Sequence, residues 1–474
     1  MGWTLAEIID ATGACALVTG ATQVEVVSTD SRRVPAGSAF VALRGPYHDG
    51  HDFAAEALRK GAAVVVVDRI PTGVDANAAL IVPDTLRALG DLAAWTRRRH
   101  PVRVVAITGS NGKTTTKEMV AAICEHAAWP APRTKVLKTV GTENNLIGVP
   151  LTLLRLRGDE AVAVLEMGMN APGEIARLTE IAQPDVGVVT NVGPAHLEGL
   201  GSVAGVAAAK GELFAGMSVD TTIAVNAEDE WVTRIAAGFR GRRIEFGCGR
   251  EVEARRVRDF GFDGFAFDLC VAGHSTPVRL RMPGLHNVTN ALAAAAVTHG
   301  LGLGRDAIRA GLEAAVAPAM RMQVLRLANG TTVLNDGYNA NPASMEAALR
   351  FLTHRPERVV AVLGEMRELG PESAALHERI GRLAAECGVQ LLVAIGAEAE
   401  PIARGARDAG MPLERVHTCA DPASAAAVVT ARWRPGDAVL VKGSRGSADD
   451  PIVRARGSRM AEVVRLLEEA GSPP

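Results

Sequence analysis

The sequence predicts an α/β fold in three domains, on three observations. The chain has 474 residues, and domains run to roughly 150 residues each. From Val102 onward, apolar β-rich runs alternate with helical segments, the pattern of a parallel sheet covered on both faces. The alternation stops around Ala315–Met320, where a proline falls, and then resumes. The implied domains are 1–100, 101–316 and 317–474: a mixed α/β unit, a parallel-sheet unit and a second doubly wound unit.

In the first unit, Val24–Ser28 and Ser38–Leu43 read as strands, Phe53–Lys60 as a short helix and Ala62–Asp68 as a buried strand. Arg97–Pro101 (RRRHP) reads as a polar linker. The central unit begins with strand Val102–Thr108, a glycine loop and helix Lys113–Cys124. Ala161–Leu165, Asp185–Thr190 and Ile223–Asn226 read as further strands, and Gly173–Gln183 and Asn290–His299 as helices. Beyond the boundary come strand Val359–Leu363, helix Ser373–Cys387, strand Leu391–Ile395, helix Pro422–Arg432 and strand Ala438–Val441. Pro422 suits a first helical position, where no N–H is needed.

Composition narrows the function. Lys plus Arg number 51 and Asp plus Glu 53, a net charge of −2. That balance argues against broad attraction to nucleic acid or anionic membranes. Aromatic residues are 4% of the chain, too few for a base-stacking platform. No apolar run reaches the ~20 residues of a membrane span. Met1–Asp10 lacks the basic start and apolar core of a signal peptide. The six cysteines are scattered without a CxxC pair, as expected of reduced thiols in a cytoplasm. Lysine occurs at only seven positions (60, 113, 117, 135, 138, 210 and 442), and the other 44 of the 51 basic residues are arginine. A lysine amine can deprotonate and react, whereas arginine stays charged, so these positions merit attention.

Ile107–Thr115 (ITGSNGKTT) follows a buried strand and opens a helix, the context of a phosphate-binding loop. Gly109 and Gly112 let the backbone approach phosphate oxygens, and the helix N-terminus favours an anion. Lys113 would reach the β/γ-phosphates of a nucleotide, and the Thr114 hydroxyl would ligate Mg²⁺. The spacing G-x-x-G-K-T is shorter than the usual form of this loop.

Ligands gather outside the carboxyl ends of the strands in open parallel sheets. Glu166 and His196 follow two such strands. They would complete a magnesium shell with phosphate oxygens, or serve as a solvated carboxylate and an ordinary loop histidine. Lys210 falls on a helix after His196, either exposed or kept for its chemistry. Asn287 and Asn290, three apart, share a helical face, and carboxamides can both donate to and accept from adenine. Simple capping by Asn287 is the alternative. Asn335–Ser344 (NDGYNANPAS) is a dense polar loop after a strand, either functional or a structural turn. Arg321, between units, would neutralise phosphate or make a surface ion pair.

Taken together, the segments GSNGKTTTKEM (109–119), TENNLIGVPLTLL (142–154), EMGMNAPGEI (166–175), HLEGLGS (196–202), AAAKGELF (207–214), GLHNVTNALAA (284–294), NDGYNANPASM (335–345), LGEMRELG (363–370) and VKGSRG (441–446) resemble the ATP-dependent Mur ligases of peptidoglycan synthesis. They run in family order over nearly the whole chain, and the STDSR (28–32) and FVALRGPYHDGHDF (40–53) segments resemble that family's uridine-nucleotide region. The resemblance implies an N-terminal UDP-substrate domain, a central phosphate-loop ATPase domain and a C-terminal Rossmann-like domain. It points to the branch that adds D-Ala-D-Ala to a UDP-N-acetylmuramoyl-tripeptide. The tripeptide carboxylate would attack the γ-phosphate of ATP, and the dipeptide amine would attack the acyl phosphate. The resemblance assigns catalysis to Lys113, His196 and Lys210, and Mg²⁺ to Thr114, Glu166, His196 and Lys210, the last as a CO₂-derived carbamate. Nucleotide contacts fall to Gly109, Asn111, Gly112, Lys113, Thr114, Thr115, Asn287, Asn290, Arg321, Asp336 and Asn339. Substrate contacts fall to Ser31, Arg32, Asn144 and Asn145. A cytoplasmic monomer with no nucleic-acid partner is expected.

Two features depart from the family pattern. About ten residues near 447–456 look inserted after KGSRG, and Glu143 is less typical within TENNLIG; His377, in a segment that resembles the family, has no evident role. The DNPR motif of the neighbouring ligase that adds a diamino acid is absent. Folate polyglutamylating enzymes share a short phosphate loop but lack DGYNANPASM. A phosphotransferase that leaves the phosphoryl group on its substrate, or a non-catalytic nucleotide-binding scaffold, stays open at this point.

Overall fold

A computed structural model describes residues 2–16, 23–45, 47–195, 197–353, 355–446 and 458–472. Three sheets of more than two strands organise them. The first has the order Cys15–Ala16, Ala79–Ile81, Val64–Val67, Ala39–Val41, Val27–Ser28, parallel except at its first pairing. The strand expected over Val24–Ser28 is split. Gln23–Val24 pairs antiparallel with Trp3–Thr4, while Val27–Ser28 joins the five-stranded sheet. Val24 and Val27 are both buried. Three positions apart, they would face opposite sides of one continuous strand.

The Arg97–Pro101 linker is not observed. Helix Thr85–Arg99 runs through the three arginines, and Asp84 Oδ1 caps its start by accepting from Leu86 N (2.8 Å) and Arg87 N (2.9 Å). Basic residues in the last turn complement the helix dipole. Arg97 donates to the Ala182 carbonyl at 3.1 Å and pairs with Asp185 at 3.4 Å. The polar run is therefore a helix end docked on the central unit.

The central sheet has nine strands, in the order Lys135–Lys138, Glu160–Glu166, Arg103–Thr108, Val186–Val189, Thr222–Asn226, Arg242–Phe246, Val252–Asp259, Phe265–Val271 and His274–Leu280. It is parallel up to Val252–Asp259 and antiparallel across the last two pairings. Val104–Thr108 and Glu160–Glu166 are wholly buried, as strands covered on both faces must be. One apolar layer includes Ala106, Leu165 and Ile175, and the opposite one includes Val105, Ile107 and Val164.

The last sheet has the order Gln323–Arg326, Thr332–Asp336, Ala438–Lys442, Val359–Gly364, Leu391–Ile395, Val416–Cys419, parallel except at its first pairing. Pro422 occupies the first turn of helix Pro422–Thr430, as expected, with Asp421 as its cap. The apparent insertion near 447–456 lies outside the described residues. Residues that follow strands of the central and C-terminal sheets face one another across a shared cleft.

Candidate nucleotide and phosphate site

Strand Arg103–Thr108 leads into the loop 109–112 and then into helix Lys113–Glu125. Gly109 (φ +148°) and Gly112 (φ +82°) lie in backbone regions that disfavour side chains. A Cβ at Gly109 would fall 1.9 Å from Thr190 Oγ1, and one at Gly112 would fall 2.3 Å from Asn290 Oδ1. Both positions therefore require glycine.

The segment after strand Val186–Val189 holds the loop. Ser110 N donates to Asn191 O (2.9 Å), Asn111 N to Asn191 Oδ1 (2.9 Å), and Thr190 Oγ1 to Asn111 O (2.6 Å). Asn226 Nδ2 in turn donates to Thr190 O at 2.9 Å. The first N–H groups of the helix have no partners within it and open, with Gly112–Thr115, onto a cleft of about 790 Å³. Lys113 Nζ donates to Gly109 O at 2.7 Å. Burial pushes Lys113 below the usual lysine range, and Glu166 partly restores it.

Glu166 ends its strand at 1% exposure. Its Oε1 accepts from Asn144 Nδ2 at 2.8 Å. Its Oε2 and the buried Thr114 Oγ1 have no partner. Unpartnered buried oxygens are costly, and here both belong to residues lining the cleft. A hydroxyl and a carboxylate are hard oxygen donors of the kind Mg²⁺ takes, with phosphates and water completing its shell. No cluster of three His, Cys, Asp or Glu able to hold a metal occurs among the described residues. The Thr114 hydroxyl and Glu166 carboxylate fit an ion shared with phosphate.

On the opposite wall, the Arg321 guanidinium lies 4.3 Å from the centre of the Tyr338 ring. It makes no ion pair among the described residues, so the surface-bridge alternative fails. Asp336 Oδ1 accepts from Met322 N (3.0 Å), and its Oδ2 accepts from Lys442 Nζ (2.5 Å). Lys442 also donates to Asn339 O at 3.2 Å. Helix His286–Gly300 begins without a side-chain cap, so Asn287 is not its cap. Asn287 Nδ2 donates to Pro283 O (2.7 Å), and Asn290 Nδ2 donates to Asn287 Oδ1 (3.0 Å).

The cleft thus gathers Asn111, Gly112, Lys113, Thr114, Thr115, Asn144, Asn145, Glu166, Asn287, Asn290, Arg321, Asp336 and Asn339. Asn145 Oδ1 also caps a turn, accepting from Gly148 N at 2.9 Å. Lys210 is not a lining residue. It lies in helix Val203–Gly216 at 1% exposure, which rules out an exposed lysine. Burial first, then the Lys113 charge, holds it well below the usual lysine range. Among the described residues its Nζ makes no hydrogen bond or ion pair. His196 lies outside the described residues. Ser31 and Arg32 are away from the cleft: Ser31 O accepts from Lys60 Nζ (2.7 Å), and Arg32 pairs with Asp30 (2.8 Å).

Sequence reasoning missed Asn191, Asn341 and Tyr338 as cleft residues. Asn341 and Tyr338 lay inside the polar loop already flagged, and Lys442 carried the signal of scarce lysine. His377 proves structural. Its buried Nε2 accepts from Met366 N at 2.7 Å, and its Nδ1 lies 2.7 Å from Ser373 O. It anchors the loop after strand Val359–Gly364.

Three family models match the chain: Mur ligase middle domain over residues 107–298, Mur ligase glutamate ligase domain over 320–445, and Mur ligase family catalytic domain over 23–97. The chain is 39% identical over 459 residues to the UDP-N-acetylmuramoyl-tripeptide–D-alanyl-D-alanine ligase of Escherichia coli (strain K12), covering 95% of each. A crystal structure of MurF from Acinetobacter baumannii superposes with a TM-score of 0.88 at 33% identity, covering 99% of both chains. The MurF ligase of Thermotoga maritima in complex with ADP superposes with a TM-score of 0.82 at 28% identity, covering 94% of this chain and 97% of that one. With this coverage and identity, the chain belongs to the Mur ligase family.

Proposed function

We propose that the protein is an ATP-dependent ligase that joins D-Ala-D-Ala to a UDP-N-acetylmuramoyl-tripeptide, releasing ADP and phosphate. One observation carries the reading. A phosphate loop, an unpartnered Thr114 hydroxyl and an unpartnered Glu166 oxygen belong to one cleft, which central and C-terminal residues both line. The similarity to the Escherichia coli ligase supports the choice of substrates.

In this reading residues 1–100 take the UDP end of the substrate, with Ser31 and Arg32 among the contacts. Residues 101–316 hold ATP, and residues 317–474 close the cleft. Asn144 and Asn145 face the peptide. Gly109, Asn111 and Gly112–Thr115 cradle the phosphates. Asn287, Asn290, Arg321, Asp336 and Asn339 surround the rest of the nucleotide. A tripeptide carboxylate oxygen attacks the γ-phosphorus, and the bond to ADP breaks. The dipeptide amine then attacks the acyl carbon, and phosphate leaves with the carboxylate oxygen.

Attack of an anion on a polyanion needs compensating charge. Lys113 supplies an ammonium beside the phosphates. Thr114 and Glu166, with His196 by resemblance, would hold Mg²⁺, which supplies further positive charge there. Lys210, buried and without a partner among the described residues, would take up CO₂ as a neutral amine and present carbamate oxygens. Burial in the cleft protects an acyl phosphate from water. In this reading the protein acts as a cytoplasmic monomer. No helix among the described residues is long and apolar enough to cross a membrane.

The test is ADP release with each substrate omitted in turn, followed by product mass. Release that needs both substrates, with a new amide and free phosphate, supports the reading. A phosphorylated product that persists overturns it.

A further inference from the structure

The amide of Asn341 serves two masters. Its Oδ1 accepts from Ser344 N at 2.9 Å and caps helix Pro342–Leu352, and Ser344 Oγ returns the bond by accepting from Asn341 N at 3.0 Å. Its Nδ2 crosses the cleft and donates to Asn111 Oδ1 at 2.8 Å. Asn341 is 8% exposed and Asn111 is half-buried, so this bond is partly buried in the cleft wall. Asn111 is the turn residue of the phosphate loop, and its backbone N–H and carbonyl are already tied to Asn191 and Thr190. Its side chain is the part of the loop that reaches the C-terminal unit. A rigid cap at one end and a restrained loop at the other leave little slack in the bridge.

We infer that Asn341 is a positioning residue that locks the phosphate loop to the docked C-terminal unit through Asn111. The loop then takes its final shape only when the two halves of the cleft are together. Phosphoryl transfer is thereby tied to closure, beyond the contacts that bind nucleotide. A neighbouring contact runs the same way: Tyr338 bonds Thr142 across the cleft. The inference rests on the ligase reading for its consequence in turnover, but its structural core does not depend on which reaction occurs.

The test uses Asn341→Ser in the full chain. Serine is as good a helix cap as asparagine but too short to reach Asn111. Hydrogen exchange of the ligand-free protein is measured over peptides spanning 109–113, with 119–124 as an internal reference. Exchange in the loop should rise several-fold while the reference stays unchanged and the melting temperature holds. In turnover, kcat should fall about fivefold, the scale of one lost net hydrogen bond, with the KM for ATP changed less than twofold. In an Asn111→Ala background, Asn341→Ser should add nothing further. Unchanged loop exchange overturns the inference, as do additive losses in the double variant. If the wild-type chain instead fails to release ADP with both substrates, the ligase reading falls, and the exchange result still decides the role of Asn341.

Discussion

Lys442 and Asp336 form an ion pair at 2.5 Å between register-matched positions of adjacent parallel strands. Lys442 is 2% exposed, and the pair lies in the wall of the cleft. It therefore sets the direction of the Asp336 carboxylate. Removing one member of a buried pair leaves the other uncompensated. Lys442→Met should cost on the order of 3 kcal/mol, read as a lower melting temperature and weaker ADP binding. Lys442→Met combined with Asp336→Asn should regain stability but not ADP affinity.

Thr114 should separate folding from chemistry. Its hydroxyl is buried without a partner, so Thr114→Val removes an unsatisfied group and keeps the shape. The ligand-free melting temperature should stay the same or rise. Turnover should fall about a hundredfold, the scale of losing one group that stabilises transition-state charge. Comparing the melting curve with the steady-state rate checks both halves.

His286 should make stability depend on pH. Burial holds it below its ordinary value of 6.5, with Lys442 acting in the same direction and Asp336 against. The unfolded chain takes up a proton at pH values where the folded chain does not. The contribution is therefore full above about pH 6.5 and is lost as pH falls toward the lower folded value. Denaturant midpoints measured from pH 7.5 downward should decline less steeply in His286→Gln than in the wild type.

Lys210 should react with CO₂. Magnetic resonance with isotopically labelled bicarbonate should show a carbamate signal in the wild type and none in Lys210→Ala. Short carboxylates should restore part of the lost activity of that variant. A wild-type spectrum without the signal, or an unimpaired variant, excludes the carbamate.

The regular parts of the fold were legible because parallel strands buried on both faces are continuous apolar runs. Val104–Thr108 and Leu391–Ile395 needed no context to be read. Helix Thr85–Arg99 was harder, because its arginine-rich end resembles a linker until Ala182 and Asp185 are seen to receive it. Strand Val24–Ser28 failed for a similar reason, since the choice between two sheets is made by distant partners. Within the site, glycine spacing, Lys113 and Thr114 announced the phosphate loop. Glu166 followed from its strand-end position. The bonds that Asn191, beside the loop, and Asn341, across the cleft, make to Asn111 did not show in the sequence. Each of those bonds joins residues 80 or more positions apart.

The central claim is that a peptide carboxylate is activated by ATP in the cleft of Lys113, Thr114 and Glu166. The direct measurement is oxygen transfer. The tripeptide substrate carries heavy oxygen in its terminal carboxylate, and the released phosphate is analysed by mass after reaction with ATP and D-Ala-D-Ala. Each phosphate should contain one heavy oxygen from the carboxylate. Phosphate free of the label, alongside newly formed amide, would contradict an acyl phosphate and with it the role assigned to the loop.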